Sequence, residues 1–186
     1  MIAATPLSDS IVKLRRLQEA NGSIRKTQLL REFQDDANFR NFLYYALNPM
    51  LTYKISEQTL RSPTRYDSAI TLTMTDIFSV CELLSKRKAL DAGTVYQVCA
   101  FVQSSPPDEA DVYIKLLSKT LRLGVTAKTV NKVIPNLIPE WEVQQAYPID
   151  KYPLKEGTEF WLTQKLNGVR ATYYKGRLYA RSGVPY

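Results

Sequence analysis

Histidine is absent from all 186 residues of the chain. Its absence removes Ser-His-Asp and Cys-His catalysis, histidine-based zinc sites and imidazole general bases together. Any chemistry must run on lysine, arginine, carboxylates or a metal held by oxygen ligands. Cysteine is almost as scarce. Cys81 and Cys99 are the only two, and both fall on apolar helical patterns. They suit buried free thiols in a reducing compartment better than a disulfide framework. No apolar run approaches the roughly 20 residues that span a bilayer. Residues 1–6 lack the charged region and apolar core of a secretory leader. These absences lead us to expect a cytosolic protein without a membrane partner. Glycine-rich phosphate loops, internal repeats, low-complexity tracts and coiled-coil heptads are missing as well.

What is present is positive charge on an ordinary globular composition. Apolar residues make up 45% of the chain, enough for a sizeable core. The length suits one domain plus a piece, or two small domains. A net charge of +7 and a pI near 9.4 point to an anionic partner, nucleic acid first among them.

Apolar periodicity predicts a run of helices from the N-terminus. Asp9-Ser10 opens the first, with Ile11, Leu14 and Leu17 on one stripe, and Asn21-Gly22 closes it. Ser23 suits the cap of a second that turns Ile24, Leu30 and Phe33 inward and Arg25, Lys26 and Arg31 outward. A third covers 37–47, with Phe39, Phe42, Leu43 and Ala46 at helical spacing, and stops at Pro49. Its aromatics, Tyr44 and Tyr45 included, read as core and rim rather than a base-stacking platform. Between 51 and 73 the pattern breaks down. Tyr53-Lys54-Ile55 and Ile70-Thr71-Leu72 hint at extended pieces. Residues 60–66 read as a surface loop whose Arg61 and Arg65 stand in solvent or against phosphate.

Thr75 suits the cap of a fourth helix that buries Ile77, Val80, Cys81 and Leu84, with Lys86-Arg87-Lys88 complementing the dipole of its last turn. Asp91 starts a fifth through Val95, Val98, Cys99 and Val102. Pro106-Pro107-Asp108-Glu109 begins a sixth that buries Val112, Leu116 and Leu117 and runs to about 121. Gly124 then ends one helix, and Thr126 caps the next after a short turn. Lys128 and Lys132 are four apart and share a face of that helix. Two readings fit equally: a phosphate seat at the new helix N-terminus, or a plain helical hairpin with solvated lysines. Pro135 and Pro139 end the helical part, and Leu137-Ile138-Pro139-Glu140-Trp141 reads as a domain edge.

Past that edge the composition changes. Pro148, Pro153 and Gly157 mark 142–158 as an irregular connector. Phe160-Trp161-Leu162 and 169–174 are strand-like, and Lys175-Gly176 turns the chain into 177–181. Between the first two, Asn167-Gly168 offers a tight turn with φ > 0 just after Lys165. A lysine so presented, with Arg170 and Arg181 converging, fits a nucleophile toward phosphate. It fits a charged hairpin edge as well.

Lys165-Leu166-Asn167-Gly168-Val169-Arg170 resembles the Lys-x-Asp-Gly-x-Arg nucleotidyl-transfer motif of ATP-dependent DNA ligases, especially bacteriophage-type enzymes. Arg181-Ser182-Gly183 sits where that family has its next, arginine-bearing motif. The segments 121–125 and 131–139 resemble the end of the family's α-helical DNA-binding domain. The likeness is weak before Thr73 and good from Val112 onward. It implies a mainly α chain: an all-helical DNA-binding domain over 1–140, a linker over 141–158, and over 159–186 the first antiparallel strands of an α+β nucleotidyltransferase (ATP-grasp-like) domain. It also implies a chemistry. Lys165 would attack the α-phosphate of ATP, expel pyrophosphate and carry AMP, which passes to the 5′-phosphate of a nick before the 3′-hydroxyl seals it.

A lysine attacks only as the free amine, and its reference pKa is ~10.4. Nearby Arg170 and Arg181 would favour the amine and bind phosphate, and Mg²⁺ would neutralise the triphosphate. Thr163 and Gln164 would contact adenine, and Arg122, Gly124, Thr126, Lys128 and Lys132 would hold nicked duplex DNA by its backbone. No residue is assigned as a metal ligand, and a monomer is expected. Two positions depart from the motif: Asn167 where aspartate is commoner, and Thr163 where many relatives have glutamate. The later carboxylates and the C-terminal OB domain of the family do not follow, so the chain reads as a fragment that binds DNA without sealing nicks. An RNA ligase or capping enzyme fits less well, because those families usually lack the helical domain. A helical DNA-binding module with an incidental hairpin is the alternative of a different class.

Overall fold

The computed structural model describes residues 7–62, 74–87, 89–141, 143, 148, 150–151, 153, 155–161, 164, 167–181, 183–184 and 186. It divides into two compact units, Met1–Glu140 and Trp141–Tyr186. The fold is mainly α. Unit 1 carries α1 (Leu7–Glu19), α2 (Ser23–Phe33), α3 (Ala37–Leu47), α4 (Glu57–Arg61), α5 (Ile77–Lys86), α6 (Ala92–Ser104), α7 (Pro107–Leu117) and α8 (Ala127–Asn131). Unit 2 carries a two-stranded antiparallel sheet, β1 (Ala171–Tyr174) and β2 (Arg177–Ala180). Among the described residues, no helix is long and apolar enough to cross a membrane.

Short polar caps set most helix starts. Asp36, Ser56, Asp76, Asp91 and Thr126 each accept a backbone N–H from the first turn of the helix that follows. Thr75 is not the cap of α5. Asp76 takes that place because its carboxylate reaches both Phe78 N–H and Ser79 N–H. Nor does Ser23 cap α2; it is the first helical residue, and Gly22 at φ +81° precedes it without a side-chain bond. Ile24 does not turn inward either, lying 77% exposed while Leu29, Leu30 and Phe33 form the buried stripe. α1 begins two residues earlier than its sequence signal, and its stripe is the expected Ile11, Leu14 and Leu17.

The core is tied together by aromatic pairs between helices. Phe33 meets Phe39 edge-on with ring centroids 5.4 Å apart, and Phe42 meets Phe78 at 4.9 Å, joining α3 to α5. Phe101 stacks on Tyr113 at 5.9 Å, joining α6 to α7. Cys81 and Cys99 are buried free thiols. In the stretch after α3, Tyr53 and Ile55 are buried on either side of an exposed Lys54, whose φ of +54° breaks the expected extended run. The expected loop at 60–66 begins instead as the end of α4, because Leu60 is fully buried.

α7 stops at Leu117, four residues short of expectation, for a local reason. Lys119 adopts φ +58°, and Lys119 N–H and Thr120 N–H turn back to the carbonyls of Leu116 and Lys115. That pairing closes the helix at a position where glycine is the usual residue. Lysine is explained by its ammonium, which donates to the carbonyls of Tyr45 (2.9 Å), Ala46 (3.2 Å) and Asn48 (2.9 Å) at the end of α3. One residue thus terminates two helices, α7 by its backbone and α3 by its ammonium. Lys119→Ala should cost about 2 kcal/mol through the lost carbonyl partners. Lys119→Gly should recover about 1 kcal/mol of that, since glycine adopts the left-handed backbone freely. Urea melts of both variants check this; equal losses would show that the backbone at 119 carries no strain.

Candidate nucleic-acid interface and phosphate pocket

Residues 121–126 form no regular element and bend at Gly124, and side chains alternate in and out. Leu121 and Leu123 are buried, whereas Arg122, Gly124 and Thr126 are exposed. Two side chains from distant helices hold this passage by its carbonyls. Gln18 Nε2 of α1 donates to the Arg122 carbonyl at 3.0 Å, and Lys26 Nζ of α2 donates to the Leu123 carbonyl at 3.2 Å. Gly124 is favoured by its φ of +65°, and a Cβ there would push aside the Lys26 ammonium. Thr126 then caps α8, accepting Thr129 N–H at 3.2 Å. Lys128 and Lys132 are both exposed, and Val130 between them is buried.

The loop after α8 is cross-tied by Asn131. Its amide mimics a strand partner for Ile138, donating to the carbonyl at 2.8 Å and accepting the N–H at 3.0 Å. It also donates to Glu140 at 2.8 Å. Gln18, Lys26 and this tie were not visible in the sequence; the first two lie about a hundred residues from the carbonyls they hold.

The cations of unit 1 fall into two groups. Lys13, Arg15, Arg16, Lys86, Arg87 and Lys115 each face a carboxylate within salt-bridge distance. Arg61 belongs with them, bonded to Glu57 at 2.8 Å and Asp111 at 3.0 Å, so it is not directed at phosphate. Arg65 lies outside the described residues. By contrast Arg25, Lys26, Arg31, Arg40, Arg122 and Lys132 have no carboxylate partner among the described residues, and Lys119 is held by carbonyls instead.

In unit 2 the left-handed turn sits at Lys175-Gly176, with φ +46° and +79°, and sets Tyr174 opposite Arg177 and Ala171 opposite Ala180. Neither Asn167 nor Gly168 has positive φ. The pair permits a tight turn without requiring one, whereas the separately expected turn at Lys175-Gly176 is present. Phe160 and Trp161 lie in no strand and are exposed, the latter at 96%. The strand after them begins at Ala171 rather than 169, and the Tyr186 hydroxyl donates to the Arg170 carbonyl just before it at 3.5 Å. After β2 the chain doubles back: Ala180 N–H donates to the Val184 carbonyl at 2.8 Å and Tyr186 N–H to the Leu178 carbonyl at 3.0 Å. Gly183, at φ +86°, lets that return pass against the Trp141 side chain, which in turn packs on Tyr179 at 4.8 Å.

These bends bring Arg170 and Arg181 to one open concavity, lined also by Gly168, Val169, Ala180 and Tyr186. Gln164 is exposed and does not line it. Lys165 and Thr163 lie outside the described residues.

Compared with known proteins, the chain is similar over 95% of its length to the solved structure Pmar-Lig_PreS3, with a TM-score of 0.65 at 19% sequence identity. It spans 43% of that chain. At this identity the likeness is one of fold. No family model and no curated protein matches the sequence.

Chemically, two guanidinium groups around an open concavity suit a phosphate-bearing ligand, because each presents a planar fork of donors. The triphosphate of ATP fits that donor set. For Mg²⁺ the described residues offer no group of three or more Asp, Glu, His or Cys side chains.

Proposed function

We propose that this chain is the N-terminal part of an ATP-dependent DNA ligase. Unit 1 holds nicked duplex DNA by its phosphates, Arg170 and Arg181 take the phosphates of ATP, and Lys165 accepts AMP. The observation that carries this is the meeting of the two motif arginines. Arg170, from the lysine motif, and Arg181, from the motif that follows, line one concavity although β1, a turn and β2 separate them. The register that pairs Ala171 with Ala180 sets positions 170 and 181 beside each other at the open end of the hairpin, and the reading rests on both belonging to the motifs. The exposed set Arg122, Gly124, Thr126, Lys128 and Lys132 adds a second support. It lies on one short stretch, and contacts from it to the phosphate backbone would carry no base-sequence information.

Binding to two fluorescent duplexes tests this. One carries a single nick with a 5′-phosphate, and the other is intact and of equal sequence. Tighter binding to the nicked duplex, weakening with salt, is expected. Equal affinity for both would favour a general helical DNA-binding module, and no binding to either would overturn both. A label transferred from α-labelled ATP and lost in Lys165→Ala would identify the acceptor lysine directly.

A further inference from the structure

We infer that α2 forms part of the same DNA surface, with Lys26 and Arg25 contacting phosphate beside Arg122. This rests on the assignment of 122–132 to DNA made above. Lys26 crosses the bare backbone of Gly124 to donate to the Leu123 carbonyl, so its ammonium sits at the centre of the stretch assigned to DNA. An ammonium has three donors. One is taken by Leu123, and no carboxylate among the described residues takes another. Arg25 precedes it, exposed, with a long 3.4 Å bond to Gln28 as its one partner among the described residues.

The charge distribution argues for a ligand here. On α1, α4, α5 and α7 the cations stand against carboxylates, which neutralises them locally. α2 has no acidic residue in its first turn, where a helix dipole favours one. It presents two cations there instead, beside a segment that also holds Arg122. Like charges so gathered repel one another, and a polyanion relieves the repulsion. Gly124 gives this geometry a cause. Any side chain at 124 would displace the Lys26 ammonium from the surface where Arg122 emerges.

The test is the salt dependence of duplex binding by Lys26→Met and Arg25→Gln, with melting curves for each. Each variant should bind duplex several-fold more weakly, with a log–log salt slope shallower by about 0.9 per lost phosphate contact. Arg25 is exposed, so its variant reads the contact without disturbing the fold. Wild-type slopes in both variants, alongside a reduced slope in Arg122→Gln, would overturn the inference and leave the DNA surface at 122–132 standing. A wild-type protein that binds no duplex would instead remove the functional assignment itself.

Discussion

Replacing Asp36 by alanine is expected to lower the stability of unit 1 by about 3 kcal/mol, near the low end for breaking a buried ion pair. Asp36 is 6% exposed and does three things at once. It caps α3 through Phe39 N–H at 3.0 Å, accepts the Ser10 hydroxyl at 2.9–3.0 Å, and pairs with Lys13 at 2.5 Å. The lost cap costs about 1 kcal/mol. Ser10 is fully buried, so its orphaned hydroxyl adds about 1–3 kcal/mol. Lys13 keeps a quarter of its side chain in water, which limits the penalty for its unpaired charge. For a unit of this size the change amounts to a fall in melting temperature on the order of 10 °C. Asp36→Asn retains the cap and should lose about half as much.

The same carboxylate makes the loss depend on pH. Burial pushes the pKa of Asp36 up, but the bonds from Lys13, Phe39 N–H and Ser10, with the charge of Lys13, outweigh it and hold the group below its ordinary value. A depressed carboxyl pKa contributes stability that is complete above the unfolded-state value of ~3.9 and disappears as pH falls through the folded one. The gap between wild type and Asp36→Asn should therefore be full at pH 7 and shrink in acid. Thermal melts at pH 7 and pH 3 measure it. A gap that is constant or widens in acid would sink the account of the ion pair.

The second large effect concerns DNA. Neutralising Arg122, Lys128 and Lys132 together should flatten the log–log salt dependence of duplex binding by about 2.7, three contacts at ~0.9 each. At 0.1 M salt the same relation gives a loss of affinity on the order of 10²-fold. Net charge alone has to be separated from position. A control that neutralises Arg15, Arg16 and Lys86 removes the same charge from cations paired with carboxylates elsewhere on unit 1. Exposed pairs of that kind contribute little to stability. Equal weakening by both triple variants would mean that overall charge, and not this surface, governs binding. Anisotropy titrations across salt concentrations decide it.

How much of this was legible in the sequence depended on the range of the forces involved. α3 and α6 were read with nearly correct ends, because a proline or polar cap and an apolar stripe are local signals. Asp76 rather than Thr75 caps α5, a one-residue difference that composition cannot separate, since both types cap well. Lys119 was hidden for the opposite reason. Its left-handed backbone suits glycine, and only the three carbonyls of a helix end seventy residues away explain a lysine. Arg61 likewise found its second partner in Asp111, out of reach of any local pattern. Arg122, Gly124 and Thr126 were chosen by motif and do lie exposed together, whereas their tethers on α1 and α2 carried no motif at all. Asn167-Gly168 shows the limit of turn chemistry, as both residues that allow φ > 0 decline it.

The placement of Trp141 has an optical consequence. The chain's two tryptophans, Trp141 and Trp161, both belong to unit 2, and unit 1 has none. Indole emission therefore reports unit 2 alone, while the far-ultraviolet circular dichroism of eight described helices is dominated by unit 1. Within unit 2 the two indoles differ, one packed against Tyr179 with its ring N–H enclosed, the other open to solvent. A collisional quencher distinguishes them. Melting followed by both signals thus tells, without labels or mutation, whether the two units unfold together.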